Sequence, residues 1–128
     1  MGADIVALDE RLEGGEPLGL LHVRGITLTK PKVLEISGAA VSDLIDELPL
    51  LGFLAASLGW EMTLRDAAEL RVKESDRIAA TLTNLTRMGA QVEERKDGWH
   101  IKSGGKLHGA RLSAFGDHRI AMSCAVAA

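Results

Sequence analysis

The segment SDRIAATLTNLTRMGAQVEERKDGWHIK, residues 75–102, changes its apolar period part-way along. Ile78, Leu82, Leu85 and Met88 recur at i, i+4, i+7 and i+10, which places them on one stripe of an α-helix. Gly89 follows as a natural C-terminal stop. Beyond it, residues 91–95 and 100–102 read as two strands turning around Asp97-Gly98. A helix starting near Ser75 and running straight into a hairpin makes this an α+β segment. In this reading Ser75 caps the helix and Asp76 sits favourably in its first turn.

Working outward, residues 61–64 form a strand before the helix. Residues 43–58 read as an earlier helix, with Pro49 tolerated in its first turn and Gly59 as its stop. Its apolar residues run nearly all round, so it should be buried. Residues 33–36 read as a short strand, Lys30-Pro31 as a turn, and residues 20–29 as a strand region broken near Gly25. Residues 12–17 read as a Gly/Glu/Pro loop and residues 4–8 as a strand. On the far side, residues 111–114 read as a short strand. Asp117 then caps a last helix that runs to the C-terminus.

The chain also echoes itself. Met1-Gly2-Ala3-Asp4-Ile5 is similar to Met88-Gly89-Ala90-Gln91-Val92, and Leu21-His22-Val23 to Trp99-His100-Ile101. The pattern is a repeated βαβαββ unit. Residues 33–102 make one complete unit, 1–30 the tail of a preceding one and 108–128 the start of the next. Together, residues 1–128 form a single partial domain. Repeats of this kind cannot bury their faces alone, so the chain is expected to be a piece of a longer protein.

Composition narrows the function. The chain has 128 residues, 46% hydrophobic and 26% charged, enough for one real core. Fifteen basic against eighteen acidic side chains leave a net charge of −3, so nothing marks it as a nucleic-acid binder. Two Trp, two Phe and no Tyr make base-stacking platforms improbable. The longest apolar stretch, residues 48–58, contains Pro49, Gly52 and Ser57 and is about half the length a bilayer requires. A single cysteine, Cys124, fits a reducing compartment, and a cytoplasmic location is expected. His22, His100 and His108 show no metal-ligand spacing, and no phosphate-loop pattern is present.

Charge collects in two places. Lys73, Glu74 and Arg77 cluster around the start of the Ser75 helix, and His118 and Arg119 occupy the first turn of the last helix. Cations there oppose the helix dipole by up to about 1 kcal/mol each, and a bound anion reverses that sign. A solvated charged helix start accounts equally well for the first cluster, and a backbone carbonyl partner for His118. Asp43, Asp46 and Glu47 open the first helix, where acids suit the dipole. One of them could instead serve as a general base.

These stretches carry a resemblance. RVKESDRIAA (residues 71–80), DHRIAMS (117–123) and LIDELPLLGFLAA (44–56) are similar, in that order, to motifs of the 5-enolpyruvylshikimate-3-phosphate synthase family, the 3-phosphoshikimate 1-carboxyvinyltransferases. The resemblance implies an enolpyruvyl transferase-like α+β fold of repeated βαβαββ units. It also implies transfer of the enolpyruvyl group of phosphoenolpyruvate to the 5-hydroxyl of shikimate 3-phosphate, with release of phosphate. By motif position, Asp46 handles the hydroxyl proton and Glu74 protonates the enolpyruvyl methylene. Lys73 bridges both substrates, and Arg77 and Arg119 hold phosphoenolpyruvate, with His118 beside them among the substrate-binding residues. No cofactor and no metal are implied. The partners are the two anionic substrates and the remainder of the same enzyme, whose N-terminal motifs have no counterpart here. The piece alone is therefore expected to be inactive. Two alternatives remain: a UDP-N-acetylglucosamine enolpyruvyl transferase, which shares this chemistry, and a non-catalytic anion-binding module.

Overall fold

A computed structural model describes residues 4–25 and 33–127, in two compact units divided after Lys30. The first is an antiparallel ribbon of β1 (Asp4–Glu13) and β2 (Glu16–Arg24). Its strands run much further toward the turn than the expected loop at 12–17. Glu13 pairs directly with Glu16, so only Gly14-Gly15 turn the chain. Both have positive φ, 63° and 86°, as a two-residue hairpin turn demands. The register shifts between Leu8 and Arg11, where Asp9 takes φ 53°. The expected strand residues 26–29 and the Lys30-Pro31 turn lie outside the described residues.

The second unit holds a four-stranded sheet in the order β3-β4-β6-β5: β3 (Val33–Ile36), β4 (Glu61–Leu64), β5 (Val92–Arg95) and β6 (Gly98–Ile101). Strands β3 and β4 are parallel, which requires a crossover, and helices supply it. The other two pairings are antiparallel. The expected helix at 43–58 is in fact two, α1 (Ala39–Leu44) and α2 (Leu48–Ser57). Inside a continuous helix Pro49 would lack an N–H and press its ring on the carbonyl of Ile45. The chain instead breaks at residues 45–47 and restarts, so that Pro49 falls in the first turn of α2. Gly59, at φ 65°, ends that helix.

A 3-10 turn (Ala68–Val72) leads to α3 (Arg77–Arg87). Asp76, not Ser75, caps α3, its Oδ1 accepting from Ala79 N–H at 3.0 Å. The predicted stripe is the buried face: Ile78, Leu82, Leu85 and Met88 pack against Phe53, Met62, Leu64, Trp99 and Ile101. The hairpin turn is Lys96-Asp97, one residue earlier than expected, because Gly98 pairs with Arg95 inside the ladder. Residues 111–114 form no strand. The amide of Asn84 does the work of a neighbouring strand there, donating to Ser113 O at 2.8 Å and accepting from Ser113 N–H at 3.0 Å. Helix α4 (His118–Ala127) packs on α2, burying Ile120. No helix among the described residues is long and apolar enough to cross a membrane.

Gly98 is the tightest glycine of the second unit. A Cβ there would run into the carbonyl oxygen of Leu64, with the carbonyl carbon at 2.7 Å, and neither backbone atom can swing aside. Gly109 has open space around it. Gly98→Ala should therefore cost about 2–4 kcal/mol in urea denaturation, and Gly109→Ala less than about 1 kcal/mol.

Candidate functional site

The break between α1 and α2 has a second effect: it places Asp46 and Glu47 at the start of α2 rather than inside a helix. The starts of α3 and α4 meet them there, joined by one side chain. Arg77, at the first position of α3, is only 2% exposed. Its Nε donates to Asp117 Oδ2 at 2.8 Å and its Nη1 to Asp46 Oδ1 at 2.8 Å. Its Nη2 donates to Glu74 Oε2 at 2.7 Å and, more weakly, to Asp117 Oδ1 at 3.4 Å.

Asp117 is fully buried and well satisfied. Besides Arg77 it accepts from the Ser75 hydroxyl at 3.1 Å and from Arg119 N–H at 2.9 Å, the latter being its cap bond to α4. Burial alone would raise its carboxyl above the usual range. The Arg77 guanidinium, the Arg119 N–H and the Ser75 hydroxyl outweigh burial and hold it below that range. Burial also works against the charge on Arg77, but Asp117 and Asp46 more than restore it.

Asp46 is half exposed and faces three cations. The hydrogen bond from Arg77 lowers its carboxyl most. Desolvation opposes this, and the charges of Arg119, Arg77 and Lys73 add to the lowering. Its other oxygen, Oδ2, lies 3.9 Å from Arg119 Nη2. Arg119 Nη1 is bound to Glu47 Oε1 at 2.6 Å, and Lys73 Nζ to Glu69 Oε1 at 2.5 Å. That bond raises Lys73, against some desolvation. A cleft of about 280 Å³ opens beside this group between α2 and α4, bordered by Asp46, Glu47, Arg119, Leu50, Met122 and Val126.

Of the residues singled out from the sequence, Asp46, Glu74 and Arg77 are in direct contact, Arg119 is beside Asp46, and Lys73 is close enough to act on it through its charge. His118 is exposed at the start of α4, and its side chain has no hydrogen-bond partner among the described residues. Sequence reasoning missed the double duty of Asp117 and the roles of Glu47 and Glu69. An acid immediately before a cation-bearing helix start was the available signal for Asp117, and its capping role concealed the rest. Arg71, which opens the motif at residues 71–80, belongs to the scaffold. It donates to Lys96 O at 2.8 Å and Arg95 O at 2.7 Å, and it pairs with Asp76 and Glu94. Among the described residues no cluster of His, Cys, Asp or Glu is arranged to hold a metal ion.

A family model described as EPSP synthase (3-phosphoshikimate 1-carboxyvinyltransferase) matches residues 20–128. The 3-phosphoshikimate 1-carboxyvinyltransferase of Roseiflexus castenholzii is 50% identical over 127 residues, covering 99% of this chain and 29% of that protein. That of Thermosynechococcus vestitus is 50% identical over 128 residues, covering 28% of its own length. In structure, EPSP synthase from Acinetobacter baumannii superimposes with a TM-score of 0.84 at 39% identity, over 99% of this chain and 30% of that one. The chain thus spans a little under a third of the relatives it matches.

Because Asp117 sits low in the folded chain, its pairing contributes stability above the ordinary carboxylate value, which is lost as pH falls through the folded value. Asp117→Asn should cost about 3 kcal/mol at neutral pH by leaving Arg77 short of a buried partner. It should also flatten the loss of stability between neutrality and pH about 3. Urea denaturation at the two pH values measures both effects, and equal acid slopes in parent and variant would contradict this account.

Proposed function

The chain belongs to the EPSP synthase (3-phosphoshikimate 1-carboxyvinyltransferase) family, and on that premise we propose that it supplies part of the active-site cleft of an enolpyruvyl transferase. The reaction joins phosphoenolpyruvate to the 5-hydroxyl of shikimate 3-phosphate and releases phosphate. The observation that carries this reading is the meeting of Asp46, Glu74, Arg77 and Arg119 at the starts of α2, α3 and α4 in a chain half identical to such enzymes. The names of the family and of these relatives do not favour the UDP-N-acetylglucosamine alternative.

The geometry suggests how the work divides. In the addition step the 5-hydroxyl oxygen bonds to the central carbon of phosphoenolpyruvate while the terminal methylene gains a proton, giving a tetrahedral intermediate. Asp46 takes the hydroxyl proton. Its Oδ1 is held by Arg77, which leaves Oδ2 as the accepting atom. Glu74, protonated once the substrate anions are bound, delivers the methylene proton, its carboxyl aimed by the bond from Arg77 to Oε2. Elimination then removes a methyl proton and breaks the carbon–oxygen bond to phosphate. Lys73 and Arg119 balance the negative charge of the two substrates, with His118 beside them. Arg77 makes four hydrogen bonds to carboxylates, which leaves one of its five N–H groups, on Nη1, for a direct contact with phosphoenolpyruvate.

The rest of the cleft comes from a remainder of the enzyme outside these 128 residues. On the same reading, residues 33–102 are one complete βαβαββ unit, between the tail of a preceding unit at 1–30 and the start of the next at 108–128.

The chain alone should release no phosphate from shikimate 3-phosphate and phosphoenolpyruvate. Exchanged for the matching segment of the Roseiflexus castenholzii enzyme, it should give an active chimera. Glu74→Gln in that chimera should lower kcat by about 10²–10⁴-fold. A folded chimera without turnover, or one indifferent to Glu74→Gln, would sink the assignment.

A further inference from the structure

The cations of the cleft differ in how firmly they are held. Arg77 is sealed from water, and Asp117 beside it is wholly buried, so that pair stays closed. The other two cations grip carboxylates at the surface. Lys73 holds Glu69, whose side chain is 63% exposed, and Arg119 holds Glu47, 51% exposed. Water competes for both partners of such pairs, so they open readily. Neither glutamate has another evident task. Glu47 stands at the cap position of α2, yet its side chain makes no capping bond. Glu69 has no hydrogen-bond partner other than Lys73 among the described residues.

Counting Asp46, Glu47, Glu69, Glu74 and Asp117, five carboxylates share the region with three cations. A dianion entering this side of the cleft therefore meets excess negative charge unless some carboxylates move away. The two pairs that open most easily are those of Glu47 and Glu69.

We propose, resting on the transferase reading above, that Glu47 and Glu69 are placeholders for the substrate's anionic groups. They occupy Arg119 and Lys73, and a phosphate-bearing ligand displaces them, so each glutamate lowers the affinity of the cleft for such ligands. The exchange is even in kind: each cation gives up one carboxylate oxygen and takes one phosphate oxygen. Arg77, Asp46 and Asp117 keep their places and preserve the geometry.

The test is a titration of the nitrogen-labelled 128-residue chain with inorganic phosphate, followed by the amide resonances around Lys73 and Arg119. Glu47→Gln and Glu69→Gln should each bind phosphate about two- to fivefold more tightly than the parent. Glu93→Gln removes the same charge from β5, where Glu93 sits near Arg95 at 3.9 Å, and should match the parent. If the parent responds at these amides and both glutamine variants bind with the parent's affinity, the placeholder idea fails while the site reading stands. If no variant responds at these amides, the anion-cleft reading fails and carries this inference with it. The spectra report folding of every variant, and either glutamate alone decides the matter should the other variant be unfolded.

Discussion

One guanidinium, withdrawn from water, organises the second unit. Taking a charge out of water costs several kcal/mol even after relaxation, and the structure can sustain it only by surrounding that charge with good acceptors. Arg77 finds them on three separate stretches of chain: Asp46 after α1, Glu74 before α3, and Asp117 before α4. The need to satisfy one side chain therefore draws three helix starts to a single point. The apolar packing of α2 against α3 and α4 makes those approaches possible. The ion group decides which ends face each other.

Helix electrostatics explain why acids are so prominent here. A cation at the first position of a helix is opposed by the dipole. Arg77 occupies that position in α3, and Arg119 lies one residue further into α4. The caps compensate. Asp76 closes the end of α3, and Asp117 closes the end of α4 while also neutralising Arg77. Asp117 thereby satisfies a local rule and a long-range one with the same two oxygens. A single Asp→Asn change at that position disturbs both.

Features governed by local periodicity were legible in the sequence, and features governed by distant partners were not. The stripe from Ile78 to Met88 needed only the helical period, and the structure buries it as expected. Pro49 was visible, but its force was underestimated: a proline that a continuous helix would place in its interior divides that helix in two. The cap of α3 went to Asp76, which stands directly before the helix and accepts from Ala79 N–H, while Ser75 donates its hydroxyl to Asp117, far along the chain. Residues 111–114 have the composition of a strand, yet the amide of Asn84 is their partner. The residues of the candidate site could be named from their motifs. Their pairing with carboxylates distant in the chain could not, because no spacing rule links Glu47 to Arg119.

The helix break and the site are one design problem. Had residues 39–58 formed an unbroken helix, Asp46 would lie along its flank, with its backbone donors and acceptors used in the ladder. The break that Pro49 imposes puts Asp46 and Glu47 just ahead of the first turn of α2, where its N–H groups are unpaired and the dipole favours negative charge. Asp46 remains ionised there, one oxygen fixed by Arg77 and the other turned toward Arg119. That asymmetry matters for any proton transfer. A carboxylate with both oxygens equally bound offers no favoured site, whereas one tethered through Oδ1 presents Oδ2 in a set direction. A residue with no polar side chain, Pro49, thus determines where Asp46 points.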